Sequence, residues 1–214
     1  RDVATAVATA HPGSELAIGN VSRPGGGDIA QSVSHNSGRD ADIAFFATDA
    51  AGRPVKIRHM HHFNDKGVAS GGAGKPLHFD VGRNWAVVRH LLSHPAVVVQ
   101  WLFVSAPLRN MMLDHALRIG EGELLRARAR RVLVQPSDSA SHDDHLHVRI
   151  ACPPEDRPAC IDGAGRTKIA RDAQIDALLQ MYRHGSPAEQ RYARDMLSLP
   201  VDGADLALPP LETR

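Results

Sequence analysis

Two short stretches of the sequence concentrate side chains that bind metals and move protons. In SHDDHLHVRI, residues 141–150, a polar start is followed from His145 by alternating polar and apolar residues, which is typical of a half-buried strand. Because side chains on a strand alternate between its faces, His145, His147 and Arg149 share one face, and the apolar residues between them face a core. His142 precedes this strand, in a loop that can bring it into the same space. The polar face is therefore a candidate functional surface.

The second stretch is SHNSGRDADI, residues 34–43, in which six residues separate His35 from Asp42. On a helix the two side chains would lie about 10 Å apart along the axis, too far for a shared metal. On an unbroken strand they would face opposite ways. The Ser-Gly-Arg sequence at 37–39 supplies a turn that lets His35 fold back toward an Asp42 that begins a strand. We therefore predict that these two residues converge as ligands.

The donor set formed by these stretches indicates the chemistry. Two imidazoles and one carboxylate, with a fourth position left for water, are typical of catalytic zinc, whereas structural zinc sites are closed. The helical metalloprotease motif HExxH is absent, so the base must come from elsewhere. His145 is the candidate, because it lies one pleat away from His147 on the same face and can polarise or deprotonate a water molecule.

The order of these motifs resembles that of a known family. HNSGRDAD, then HFDVGRNW at residues 78–85, then HDDHLHVR are similar to motifs of the penicillin-insensitive murein endopeptidases. Those enzymes belong to the wider superfamily of lysostaphin-type, D-Ala-D-Ala and hedgehog-type zinc folds. The resemblance covers about residues 14–152 and does not include the segment after Cys160.

The resemblance implies a set of roles and a fold. It implies one zinc ion per chain, bound by His35, Asp42 and His147. It also implies His145 as the general base or water-polarising group, and His142 as a residue that assists the transition state or binds substrate. The implied fold is α+β, a small antiparallel sheet carrying the zinc site on its concave face and flanked by helices.

Three further residues are predicted around this site, as neighbours of the ligands or as substrate contacts. Asp40 shares the strand face of Asp42, so it either competes as a ligand or hydrogen-bonds a ligating imidazole. Arg149 either pairs with a peptide carboxylate or forms a structural ion pair. Asp80 belongs to the HFDVGRNW stretch, and we predict that it too neighbours the ligands or contacts substrate.

A second group of histidines, His59, His61 and His62, has no carboxylate at ligand spacing. We interpret it as an exposed strand edge rather than a second metal site. Asp143 and Asp144 are interpreted as loop acids that tune the electrostatics.

The elements that position these residues follow from periodicity. Strands are predicted near residues 16–18, from Asp40, from Pro54, over LHFD, over VVVQWLFVSA as the central strand, and over HLHVRIA. Helices are predicted over GRNWAVVRHLLSH, over PLRNMMLDHALRIG with Pro107 in its first turn and Gly120 at its end, and over residues 121–132. Strands and helices without regular alternation indicate an α+β domain.

The chain is predicted to contain a zinc peptidase domain, residues 1–160, and an appendage, residues 161–214, with two helices at about 168–183 and 187–197. The role of the appendage is left open. Cys152 and Cys160 flank a proline-rich bend and either form a disulfide or stay as two thiols. A disulfide would indicate an oxidising compartment.

Composition narrows the functional classes. The 25 Lys and Arg residues balance 24 Asp and Glu residues, and no face concentrates positive charge, which argues against nucleic-acid binding. The arginines at 126–131 are interpreted as a solvated helix face. No apolar run is long enough for a membrane span. No signal peptide is recognised, and a mature secreted chain would lack one.

The predicted activity is hydrolysis of peptide cross-links in bacterial peptidoglycan, in the periplasm or outside the cell. The resemblance implies substrates joined through D-Ala to a diamino acid. Alternatives are a D,D-carboxypeptidase or an amidase on the same scaffold, or a cell-wall binding module that retains zinc without catalysis.

Overall fold

The computed structural model describes residues 1–24, 26–27, 29, 35, 37–71, 74–95, 97–137, 139–152 and 180–197. The chain divides into two compact units, Arg1–Ala151 and Cys152–Arg214. The helices are α1 Asp2–Ala10, α2 Val81–Ser93, α3 Ala106–Arg118, α4 Glu123–Val132 and, in the second unit, α5 Pro187–Leu197. The strands are β1 Ile18–Val21, β2 Asp40–Ala44, β3 Ala47–Thr48, β4 Pro54–Val55, β5 Val68–Ser70, β6 Pro76–Phe79, β7 Val99–Phe103, β8 Leu133–Val134 and β9 His145–Ile150. The predicted α+β class is confirmed.

The larger sheet carries the candidate site. Its strand order is β1-β2-β9-β7-β8, antiparallel except for the parallel pair β7 and β8. The sheet is therefore mixed rather than purely antiparallel. The prediction that VVVQWLFVSA forms the central strand is wrong, because β9 occupies the centre and pairs with β2 on one side and β7 on the other. The histidine-bearing strand thus has a neighbour on each edge to hold its register.

A smaller sheet has the strand order β4-β3-β6-β5. It exists because the strand predicted from Asp40 is broken into two strands. Phe45 and Phe46 separate β2 from β3, so the chain passes from one sheet to the other at this point. The side chain of Asn84, on α2, replaces a neighbouring strand here. It accepts a hydrogen bond from the Phe46 N–H and donates one to the Phe46 carbonyl, each 2.9 Å long. Both phenylalanines are buried in the core.

The long strand predicted from Pro54 is wrong beyond Val55. Its partner, β3, offers only two residues, so the ladder of β4 ends with it. The segment that follows is held by single contacts instead. The Phe63 N–H donates to the carbonyl of Asp143 at 2.9 Å, and His61 Nδ1 lies 3.2 Å from the carbonyl of Ser70. The second histidine group therefore lies in an irregular segment, not on a strand edge.

The helices pack as their periodicity predicts. Trp85 is fully buried in α2, and its indole N–H donates to a carboxylate oxygen of Glu121 at 3.1 Å. α3 has a proline in its first turn and ends before Gly120, which has a φ of 70°. Within the described residues, no helix combines the length and apolar character that crossing a membrane requires.

The solvated face predicted for the arginines of α4 is wrong for two of them. Arg126 donates to the carbonyl of Glu121 at 2.9 Å, and Arg128 donates to the carbonyl of Leu92. Both arginines therefore supply donors to carbonyl groups that follow or end a helix.

The second unit is described for part of its length. α5 agrees with the helix predicted at 187–197, and residues 180–184 are helical. The rest of the helix predicted at about 168–183 lies outside the described residues, as does Cys160. Cys152 is buried. The Cys152–Cys160 disulfide stays a prediction.

Candidate metal centre

The register between β2 and β9 assembles the centre. Asp42 lies directly opposite His147, and Asp40 lies opposite Arg149. Directly opposed residues of an antiparallel pair project from the same face, so these side chains meet across the two strands. His145 lies opposite Ala44 in the same ladder, and the small alanine leaves room beside the imidazole. The polar side chains of β9 share one face as predicted, and the carboxylates of Asp40 and Asp42 lie on that same face.

His35 reaches this face through the predicted turn. Gly38 has a φ of 76°, a left-handed conformation that glycine adopts without strain. The Gly38 N–H donates to the hydroxyl of Ser22 at 2.9 Å, so a residue that is distant in the chain fixes the turn. Arg39 follows and holds the end of β9, with its carbonyl accepting from Ile150 N–H at 3.0 Å. His35 is left with only 1% of its surface exposed.

The three predicted ligands converge. His35 Nε2 and His147 Nδ1 lie 3.2 and 3.1 Å from Asp42 Oδ1, and one donor atom from each residue falls within 4.8 Å of the other two. Both ring nitrogens of His35 and Asp42 Oδ1 are buried without a hydrogen-bond partner of adequate geometry in the described part of the chain. Unpartnered buried polar atoms are costly, so this set fits a cation. Two nitrogens and a carboxylate oxygen, without a thiolate, suit zinc.

Asp40 orients one of these ligands. Its Oδ1 lies 2.8 Å from His147 Nε2, on the opposite side of the ring from Asp42. A metal-binding histidine commonly donates its other ring N–H to a carboxylate, which fixes the tautomer and the ring orientation. Arg149 Nε lies 3.8 Å from the same oxygen, an ion pair of the kind predicted as one of its two roles.

We expect the Asp40→Asn substitution to weaken metal binding by roughly ten- to a hundredfold, because the amide cannot accept the histidine N–H with the strength of a carboxylate. Competition with a chromophoric chelator measures this affinity. Asp49→Asn, in an exposed turn, is the matched control and should bind metal as the original chain does. Equal affinity in the Asp40 variant would mean that Asp40 has no influence on the centre.

His145 and His142 border the same centre. His145 Nδ1 lies 2.6 Å from Asp144 Oδ1, and its Nε2 lies 3.4 Å from Asp42 Oδ1. The His142 ring lies 5.2 Å from that of His145 and 5.7 Å from that of His147, and its Nδ1 is buried without a partner among the described residues. The structure therefore brings the two predicted catalytic histidines beside the predicted ligands.

Two backbone contacts and one aromatic ring hold His142 in place. Its N–H donates to Gln135 Oε1 at 2.9 Å, and its carbonyl accepts from Ser105 N–H at 2.7 Å. Phe103 of β7 lies 5.4 Å from the His142 ring and 5.1 Å from the His147 ring. This apolar wall removes water from one side of the imidazoles.

Burial and neighbouring charges set the protonation of the centre. Burial, with help from His145 and His147, lowers the pKa of His142 to about 4, so that histidine is neutral at pH 7. Burial also lowers the pKa of His35, against the opposing charge of Asp42. Burial alone would raise the pKa of Asp42, but the close approach of the His147 ring nitrogen, at 3.1 Å, and the charge of His145 hold it below its usual range. Neutral imidazoles and an ionised carboxylate are the forms that bind metals.

The pKa of His147 shifts in the opposite direction from the pKa values of His35 and His142. Burial alone would lower its pKa, but Asp40 and Asp42 outweigh burial and raise it. A proton would therefore compete with a metal at this predicted ligand, and metal binding would release it.

Asn20 was not predicted for the site from the sequence, and Asp143 and Asp144 were predicted only as loop acids that tune the electrostatics. Asn20 on β1 donates to Asp42 Oδ2 at 2.9 Å and fixes that carboxylate. Asp144 orients His145, and Asp143 Oδ1 lies 2.6 Å from Nδ1 of His62. A lone asparagine or a pair of loop acids carries no signal for such contacts in one sequence.

His62, Asp143 and Asp144 also bring one donor atom each within 4.8 Å of the others. The His62 side chain is 78% exposed and pairs directly with Asp143, which raises the pKa of His62. A surface ion pair accounts for this cluster without a second metal.

Asp80 has a different role in the structure from the one predicted near the site. It is the N-cap of α2, where Oδ1 accepts from the Arg83 N–H at 2.9 Å and Oδ2 pairs with Arg83 Nε at 2.7 Å. An acceptor at this position satisfies a free N–H of the first turn. None of these described contacts of Asp80 is with a histidine of the candidate metal centre.

The sequence was compared with known protein families and with curated proteins. A family model described as penicillin-insensitive murein endopeptidase matches residues 1–200. The match extends on both sides of the region, about 14–152, over which the motifs carry the resemblance. No curated protein matches the sequence.

Proposed function

Since the chain belongs to the family of penicillin-insensitive murein endopeptidases, we propose that it is a zinc metallopeptidase that hydrolyses the D-Ala to diamino acid cross-link of peptidoglycan. The observation that carries this proposal is the convergence of His35, Asp42 and His147, with unpartnered buried donor atoms, beside His145. One zinc ion per chain would be held by these three ligands, leaving an open position for catalysis.

The residues of the centre divide the work of amide hydrolysis between them. When bound, zinc supplies Lewis-acid polarisation and makes water more acidic. His145 is the general base, because Asp144 engages Nδ1 and leaves Nε2 directed at the centre, where it accepts the proton of the attacking water. The same Nε2 then donates that proton to the leaving amide nitrogen, which completes the cleavage of the C–N bond.

His142 has a different role from His145. Its low pKa keeps the ring neutral at pH 7, so it acts through a hydrogen bond rather than a positive charge. We assign it to the developing oxyanion of the tetrahedral intermediate, where a positioned donor is most effective. The backbone clamp from Gln135 and Ser105 holds the ring ready for that contact.

Mass spectrometry of a purified cross-linked muropeptide dimer tests the proposal. We expect conversion to two monomers with the stem peptides still attached to their sugars, abolished by a chelator and restored by zinc. Loss of a terminal alanine would indicate a carboxypeptidase instead, and release of peptide from sugar would indicate an amidase. An untouched dimer in the presence of bound zinc would indicate a binding module.

The proposed substrate sets the compartment. Peptidoglycan lies outside the cytoplasm, so the enzyme would work in the periplasm or outside the cell. The predicted Cys152–Cys160 disulfide would be stable there. The murein peptide is the proposed partner, and the near balance of charge offers no electrostatic basis for binding nucleic acid.

A further inference from the structure

A pocket of about 470 Å³ lies beside the loop that carries His142. It is lined by residues 63–66, by residues 105–107 at the start of α3, and by Gln135, Ser141 and Asp143. Its volume falls within the usual range for small-ligand sites, about 300–1,000 Å³. Ser105 and Gln135 are the two residues that clamp the His142 backbone, so a ligand here would lie next to the catalytic loop.

The start of α3 supplies one wall with unused donors. Ser105 is the N-cap residue, yet its hydroxyl makes no capping hydrogen bond, and the residue is only 5% exposed. Ser105 lines the pocket, and none of the described contacts uses its hydroxyl, so the hydroxyl is available to a ligand. The first-turn N–H groups of this 13-residue helix add a partial positive charge at the same wall.

Lys66 supplies a full positive charge at the pocket. Its side chain is exposed and has no ion pair among the described residues. The backbone N–H of Lys66 donates to Asn64 Oδ1 at 2.9 Å, which fixes the turn that presents the lysine. Two carboxylates also line the pocket: Asp143 is paired with His62, and Asp65 is exposed. The unpaired donors are thus an ammonium, a hydroxyl and a helix N-terminus.

We propose that this pocket is a substrate subsite that binds a free carboxylate of the murein peptide, with Ser105 and Lys66 as its donors. The inference rests on the proposed function. A diamino acid with two carboxyl groups, one on each carbon that bears an amine, keeps a free carboxylate beside the amine that is acylated in the cross-link. A carboxylate so close to the scissile amide fits a subsite next to the catalytic loop. Such a subsite would distinguish a diamino acid whose carboxylate is free from one whose carboxylate is amidated.

Kinetics with two cross-linked muropeptide dimers test the subsite, one with that carboxylate free and one with it converted to a carboxamide. We expect the original chain to prefer the free carboxylate by roughly ten- to a hundredfold in kcat/KM, the usual contribution of a charge-assisted hydrogen bond. Lys66→Met should lose most of this preference, measured as the ratio of its rates on the two dimers. Ser105→Ala should lose part of it. Lys75→Met, an exposed lysine outside the pocket lining, is the matched control and should keep the preference.

Equal rates on the two dimers in the original chain would overturn the subsite and leave the endopeptidase intact. A preference that survives Lys66→Met and Ser105→Ala would overturn it as well. If neither dimer is cleaved, the proposed function fails, and calorimetry with the free-carboxylate monomer decides the subsite separately. Binding that Lys66→Met weakens would support the pocket as a carboxylate site, and absence of binding would overturn it.

Discussion

Replacing His147 by alanine is expected to remove the metal and lower kcat/KM by at least about 10³-fold, since a catalytic metal supplies several kcal/mol of transition-state stabilisation. His147 is the proposed ligand on which the centre should depend most, because its ring lies between two carboxylates. Its Nδ1 faces Asp42 at 3.1 Å and its Nε2 faces Asp40 at 2.8 Å. Without the imidazole, two buried carboxylates lie close together with no cation between them, which also destabilises the fold.

Metal content after dialysis and cleavage of the muropeptide dimer measure this prediction together. Asp42→Asn is a companion variant that keeps the size of the side chain while removing the anionic ligand, so it should lose metal without a comparable loss of packing. His59→Ala is the control, because that histidine is exposed and belongs to none of the described metal groups. A His147 variant that is folded by circular dichroism and keeps both metal and activity would contradict the proposed centre.

The convergence of the three proposed ligands could be predicted because its geometry is local. The alternation in HLHVRI fixes which side chains of β9 share a face, and Gly38 marks the turn that returns His35 toward Asp42. The structure brings these residues together as that reasoning requires. The contact of Asp40 with His147 is one of the two alternatives that the same alternation left open, whereas its register opposite Arg149 is seen only in the structure.

The contacts that local pattern could not supply are the long-range ones. His62 and Asp143 are 81 residues apart in the chain and meet because the Phe63 N–H bonds to the Asp143 carbonyl. The alternation from Pro54 predicted a strand, but a strand needs a partner, and β3 is only two residues long. Asp80 precedes a helix, where capping competes with any other use of a carboxylate.

The second large effect is expected at His145. Replacing it by alanine should lower kcat by roughly 10²–10⁴-fold, the usual contribution of a positioned general base, while one metal ion per chain is retained. The reason lies in its contacts: Nδ1 is engaged by Asp144, and Nε2 faces the centre from outside the group of His35, Asp42 and His147. This combination separates His145 from His147, whose loss should remove metal and activity together. His145 also forms a second candidate metal group with His142 and His147, so the metal content of its variant is the deciding measurement.

Metal content and single-turnover cleavage of the dimer distinguish the two roles. His78→Ala, a half-buried histidine of β6 outside the described metal groups, is the control and should keep both properties. Asp144→Asn should reproduce part of the loss in kcat with metal still bound, because it leaves the imidazole present but less firmly oriented. Loss of metal from the His145 variant would make that histidine a ligand instead of a base. Full activity with metal retained would transfer the proton-accepting role to His142, whose ring lies 5.2 Å away.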